Sequence, residues 1–186
     1  MRGGVVARVT LATVVLAPEP LTRYAVAKAV EQRYGGDDGI LRTKRQHAYD
    51  LVPALEANGL IRVVGTAPTR TSREPTSLFG ATQAGVHDWR AWLSSPIAMP
   101  DAMTGALARL YAVRQGDFAT MLGIIDRYEA MLRLMVQRAE DPVAPDHIVE
   151  RIRSVWSRRE LVAQLQWCQH SREIVTDAMA GTSPWR

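Results

Sequence analysis

The sequence predicts a mainly α-helical protein that carries one small β-hairpin and divides into two halves of different character. Three observations lead there. Apolar residues recur at spacings of three and four through most of the 186 residues, as amphipathic helices require. That pattern breaks once, between Leu60 and Phe79, where two short strand-type runs flank a polar loop. Charge is also uneven: residues 1–94 hold 12 basic and 8 acidic groups, whereas residues 95–186 hold 11 of each. The expected domains are residues 1–95, which contain the hairpin, and residues 100–182, helical throughout.

Each element has its own local reason. Val5 to Leu16 is apolar at nine of twelve positions. Its β-branched content favours a strand and its length permits a helix, so periodicity leaves the type open. The run follows Arg2 in the manner of a secretory signal, but Arg8 interrupts it and no small-x-small cleavage site follows, which makes it a core element. Pro18-Glu19-Pro20 ends it. Leu21, Ala25, Val26, Ala29 and Val30 set a helix that stops at Gly35-Gly36. Thr43-Lys44-Arg45-Gln46 has the form of a capping box, with Thr43 accepting from the Gln46 amide and Gln46 reaching back. The helix it opens places Ala48, Leu51, Val52 and Leu55 on one face and ends at Asn58-Gly59. Leu60 to Val64 and Ser77 to Phe79 form the hairpin strands around the polar loop Gly65 to Thr76. Thr82 caps a further helix carrying Val86, Trp89, Trp92 and Leu93, ended by Ser94-Ser95-Pro96.

Three helices and then a hairpin with a basic tip is the order of a winged helix-turn-helix. In that arrangement a helix enters the major groove of duplex DNA and the hairpin tip reaches the flanking backbone. Between Ile40 and Arg73 lie six basic residues (Arg42, Lys44, Arg45, Arg62, Arg70 and Arg73) against two acidic ones, Asp50 and Glu56. The third helix presents Thr43, Lys44, Arg45, Gln46 and His47 around its first turn, where the helix dipole also attracts phosphate. Arg45 and Gln46 are the candidates for base contacts; Lys44, Arg70 and Arg73 are those for phosphates. Lys28 and Lys44 are the only lysines, so the basic groups are nearly all guanidinium forks suited to phosphate and guanine edges.

The run Tyr49-x-x-Val52-x-x-Leu55-Glu56-x-x-Gly59-Leu60-Ile61, the basic wing, Thr82-x-Ala84-Gly85 and Trp92-Leu93 together resemble the PadR-like transcriptional regulators. Leu21 to Val26 resembles a segment in the second helix of that family. The resemblance covers about Val5 to Leu93. It implies a dimeric, repressor-type protein whose third helix reads an operator, with Tyr49 and Lys44 to His47 near the backbone and bases. It also implies that Val5 to Leu16 is a helix. The chain departs from the family pattern in places: Pro53 lies inside the third helix, Asp50 stands where proline more often follows the tyrosine, and Arg23 stands where glycine is favoured. Phe79-Gly80-Ala81 replaces the usual aromatic-x-leucine strand.

The second half carries only helical signals. Leu107, Leu110 and Tyr111 form a short stripe, and Phe118, Met121, Leu122, Ile125, Tyr128, Leu132, Met135 and Val136 a longer one. After the break at Asp141 to Pro145, apolar residues from Ile148 to Met179 indicate one helix of about 34 residues, roughly 50 Å long. Two long amphipathic helices without a third layer leave apolar surface uncovered. A homodimer through residues 100–182 answers that need. It would hold two reading helices about 34–36 Å apart on an inverted-repeat operator in double-stranded DNA.

Enzyme chemistry finds no support in the sequence. Cys168 and His170 stand two apart, and His47, His87 and His147 are scattered, so no metal site is expected. Gly35-Gly36-x-x-Gly39 follows a helix rather than a strand, which argues against a phosphate loop and against a nucleotide cofactor. Trp156 and Trp167 are candidates for a small aromatic effector at the dimer centre, with packing as the alternative. The single cysteine and the absence of an eighteen-residue apolar run point to a cytoplasmic location and no membrane partner. The expected function is therefore a sequence-specific transcriptional regulator. A protein-binding winged helix and a small-molecule-binding helical protein without an operator remain the alternatives.

Overall fold

The computed structural model describes residues 4–35, 39–41, 43–68, 75–97, 102–139 and 148–182. These fall into two compact units, Met1–Ser95 with Met103–Arg114 and Pro96–Ala102 with Gln115–Arg186. Met103–Arg114, which the expected domains give to the second half, cluster with the first unit. Most of the helix α5 (Ala102–Tyr111) belongs to the first unit, where hydrogen bonds tie it to α4 (Gln83–Ser94). Trp89 Nε1 donates to the Ala112 carbonyl at 3.0 Å. The Arg109 guanidinium, itself buried, donates to the Trp92 and Gly105 carbonyls and to Ser95 Oγ.

The first unit runs α1 (Val5–Leu16), β1 (Leu21–Thr22), α2 (Arg23–Tyr34), α3 (Arg45–Ala57), β2 (Ile61–Ala67), β3 (Thr76–Ala81) and α4, followed by α5. The type left open for Val5 to Leu16 resolves as helix. It lies at the centre of the unit against α2, α3, α4 and β3, with Val9, Leu11, Ala12 and Val14 all buried. A helix surrounded on every side needs no polar face, which is why its sequence shows no 3.6-residue stripe. Its two threonines return their hydroxyls to the carbonyls four residues back, Thr10 to Val6 and Thr13 to Val9. Arg8 pairs with Asp88 on α4.

The wing is a three-stranded antiparallel sheet in the order β1-β3-β2, one strand more than the expected hairpin. Leu21 and Thr22, expected to begin a helix, pair with Phe79 and Leu78 instead. Thr22 then caps α2 by accepting from the Ala25 amide. A two-residue strand carries no periodicity, so the sequence alone could not separate it from the helix it precedes. The register of β2 against β3 slips between Val63 and Gly65, bulging Val64 outward. The departure at Gly80 answers that bulge: a Cβ there would stand 3.2 Å from Val64 Cγ1.

One junction ties α3, β2 and α4 together. The helix α3 closes with Gly59 at φ +69, the Gly59 amide donating to Glu56 O and the Leu60 amide to Leu55 O. Thr82 donates its hydroxyl to Gly59 O and accepts from the Gly85 amide, capping α4 on the same spot. At Gly85 an added Cβ would lie 2.0 Å from Leu60 O, so only glycine permits this approach.

The second unit is dominated by the helices α6 (Phe118–Ala139) and α7 (Ile148–Met179), which pack antiparallel. Ile124, Ile125, Tyr128 and Leu132 of α6 and Leu161 and Cys168 of α7 are buried. Tyr128 donates to Gln164 Oε1 at 2.5 Å and meets Trp167 edge-on, with ring centroids 6.0 Å apart. Arg172 bridges Asp126 and Glu129 from the opposite helix, and Arg133 reaches the same Glu129. Those guanidinium groups hold the Glu129 carboxyl below the usual carboxylate range. Burial raises the Cys168 thiol to about 11.

Candidate nucleic-acid interface

The helix α3 stands on α2 through its apolar face, with Ala48, Val52 and Leu55 buried. The opposite face exposes Gln46, His47, Asp50, Pro53 and Ala54. Lys44, the residue at the N-cap, is exposed beside them. Three of the expected DNA contacts, Lys44, Gln46 and His47, therefore share one accessible surface at the helix start.

The expected capping box is not formed. Thr43 is buried, its Oγ1 has no hydrogen-bond partner, and Lys44 rather than Thr43 occupies the N-cap, without a side-chain cap. Gln46 turns instead along the helix, its Nε2 donating to Asp50 Oδ1 at 2.8 Å. A side chain paired four residues forward cannot also reach three residues back, which is the competition the sequence pattern conceals.

Arg45 faces α2 rather than the open stripe. Its Nε donates to Glu31 Oε2 at 2.8 Å, its Nη2 to the same oxygen at 2.5 Å, and its Nη1 to Tyr24 Oη at 3.0 Å. The guanidinium also stands 5.4 Å from the Tyr24 ring centre. The Glu31 carboxylate raises the Arg45 pKa above its ordinary value and so holds the charge in place. Arg45 thus braces α3 against α2.

The three departures Arg23, Asp50 and Pro53 meet at one place, a meeting that no local pattern in the chain foretells. Proline has no N–H, so Pro53 leaves the Tyr49 carbonyl, four residues earlier, without its helical partner. Arg23 Nε supplies the donor at 2.7 Å. The same guanidinium lies 3.7 Å from the centre of the Tyr49 ring and its Nη2 is 3.5 Å from Asp50 Oδ1. Tyr49 is therefore half-covered by Arg23. A glycine at position 23 could do none of this, and the side chain is explained by the proline opposite.

Arg70 and Arg73 lie outside the described residues, as does Arg42. On the wing, Arg62, Val63 and Val64 are exposed. Trp156 and Trp167 do not converge on one pocket. Trp156 is 71% exposed, whereas Trp167 packs on Tyr128. A groove of about 520 Å³ between α6 and α7 is lined by Val136, Val162 and Leu165 with Glu129, Arg133 and Arg172 at its polar side, and by neither tryptophan. Among the described residues no group of three or more His, Cys, Asp or Glu is placed to hold a metal, and no helix is long and apolar enough to cross a membrane.

No family model matches the chain, and no curated protein matches it. Solved structures similar to it include that of Bacillus subtilis PadR in complex with operator DNA, at 11% identity and a TM-score of 0.41, covering 92% of this chain and 99% of that one. The PadR-like transcriptional regulator BC1756 from Bacillus cereus is similar at 16% identity and a TM-score of 0.35, over 92% of this chain and 99% of its own.

Proposed function

We propose that this protein is a DNA-binding transcriptional regulator of the PadR-like kind, a repressor that acts as a homodimer on an inverted-repeat operator. The observation that carries the reading is the start of α3: Lys44, Gln46 and His47 stand exposed together, on a helix-turn-helix frame that buries the opposite face of α3 against α1 and α2. Lys44 and the basic wing tip, Arg70 and Arg73, meet phosphate. Gln46 and His47 meet base edges. Tyr49 lies near the backbone, shielded by Arg23. Thr43 is buried at that start, and Arg45 braces the reading helix against α2 through Glu31.

The dimer is supported by the second unit. Helix α7 has 32 residues against 22 in α6, about 15 Å more length. Ile148, Val149, Val155 and Trp156 lie exposed near its N-terminal end, with Val162, Ile174 and Met179 further along. Apolar side chains in that number on one helix want a partner, and a second copy supplies it with the same stripe. On this reading Trp156 belongs to the subunit contact. A small aromatic effector that loosens the contact would release the operator.

Fluorescence anisotropy on duplex DNA from the region upstream of the gene tests the proposal. Binding should be specific and should weaken steeply as salt rises, because phosphate contacts release counterions. Binding that ignores salt, or none at low salt, would overturn it in favour of a protein-binding winged helix.

A further inference from the structure

The exposed stripe of α3 contains one side chain of the wrong sign for a phosphate surface. Asp50 stands one turn beyond Gln46, its side chain 57% exposed, beside Pro53 and Ala54 on the same face. It is held there from two sides: Gln46 Nε2 donates to Oδ1 at 2.8 Å, and Arg23 Nη2 lies 3.5 Å from the same oxygen. Arg23 is anchored in turn by the Tyr49 carbonyl and ring. An ordinary solvated acid needs no such support.

Resting on the DNA-binding reading above, we propose that Asp50 is a base-discriminating residue. Its carboxylate accepts the N4 amino group of a cytosine in the major groove and fixes Gln46 for a neighbouring base. A carboxylate only accepts hydrogen bonds, and phosphate repels it, so its partner in the groove must be a base donor. The donors there are cytosine N4 and adenine N6. Adenine also presents the N7 acceptor on the same edge, which repels a carboxylate, whereas cytosine offers its amino group without a second acceptor on the base. Oδ1 is occupied by Gln46, which leaves Oδ2 for the cytosine. Gln46, with one amide hydrogen pinned by Asp50, keeps its second hydrogen and Oε1, the donor and acceptor that match adenine N7 and N6. Arg45, held on Glu31 and Tyr24, takes no part in reading.

The test uses the full chain and the duplex it binds, with each C·G pair replaced in turn, measured by competition anisotropy at fixed salt for wild type, Asp50→Ala and Arg45→Ala. One replaced C·G pair should weaken the wild type by about 5- to 150-fold. In Asp50→Ala that penalty should vanish while affinity for random duplex rises, since a repulsive charge has gone. Arg45→Ala, which loosens the brace of α3 on α2, should weaken every duplex alike and keep the wild-type order of preference among base pairs. Thermal melting of the variants in parallel shows that each remains folded. An unchanged penalty at every pair in Asp50→Ala overturns the role of Asp50 and leaves the DNA-binding reading standing. Failure of the wild type to bind any duplex at low salt overturns both.

Discussion

Replacing Arg23 with alanine, once in the wild-type chain and once in a Pro53→Ala background, measures the bond that joins α2 to α3. In the wild type the Arg23 guanidinium donates to the Tyr49 carbonyl, which Pro53 leaves without its partner four residues on. Its loss leaves that acceptor to solvent and removes the stacking on the Tyr49 ring. A hydrogen bond from a charged donor is worth about 1.5–3 kcal/mol, and an exposed cation–π contact about 0.5–1 kcal/mol. The Asp50 contact, at 3.5 Å and solvent-exposed, adds little. Arg23→Ala alone should therefore destabilise by about 2–4 kcal/mol. In Pro53→Ala the amide of residue 53 returns to the Tyr49 carbonyl, so only the stacking is left for Arg23 to lose, about 0.5–1 kcal/mol. The coupling energy should be about 1.5–3 kcal/mol. Urea unfolding followed by circular dichroism, at one protein concentration for all four proteins, gives each corner of the cycle. Additivity within about 0.5 kcal/mol would refute the account of Arg23 as the substitute for the missing N–H.

Tyr34 is fully buried, its hydroxyl has no hydrogen-bond partner among the described residues, and burial pushes its pKa up to about 12. Tyr34→Phe should stabilise the protein by about 1 kcal/mol, read as a higher Tm. Burial also raises Tyr128 to about 12. Both rings favour the neutral form when folded, so their contribution is complete below pH of about 10 and is lost as pH rises towards 12; alkaline melting curves should show this, less steeply in Tyr34→Phe. Gly85→Ala would drive a Cβ against Leu60 O and should destabilise by about 3 kcal/mol, with an unchanged Tm counting against the tight junction. Trp156→Asp should weaken the proposed dimer by roughly 30-fold or more, seen by light scattering at micromolar concentration, where a wild-type monomer would contradict the subunit contact. Glu31→Gln frees Arg45 from its brace; affinity for random duplex should rise while the Tm changes little.

Much of this architecture is legible in one dimension because it rests on contacts between near neighbours. Thr82 caps α4, Asn58-Gly59 closes α3, and the alternation of helical and strand-type runs orders the first unit. The same local logic fails at Thr43, where two side-chain pairings compete and the four-residue one wins. It fails again at Leu21-Thr22, too short to show a period. Arg45 illustrates a different limit: its position in the first turn is fixed by sequence, but its direction is decided by Glu31, fourteen residues away on another helix.

The order of elements, the uneven charge and the amphipathic excess of the second half follow from spacing and composition alone. The direction in which the basic side chains point follows from the folded structure. That structure also shows that Val5–Leu16 is a helix enclosed on all sides and that α5 packs mainly on the first unit. The meeting of Arg23, Tyr49, Asp50 and Pro53 belongs to this second kind. A proline removes a donor at one point in the chain, and the donor that replaces it comes from thirty residues earlier, a distance no local pattern spans. The charge that a sequence concentrates in one half is therefore only a quantity. The packing of α2 on α3 divides it into groups that brace the fold and groups left free for a partner.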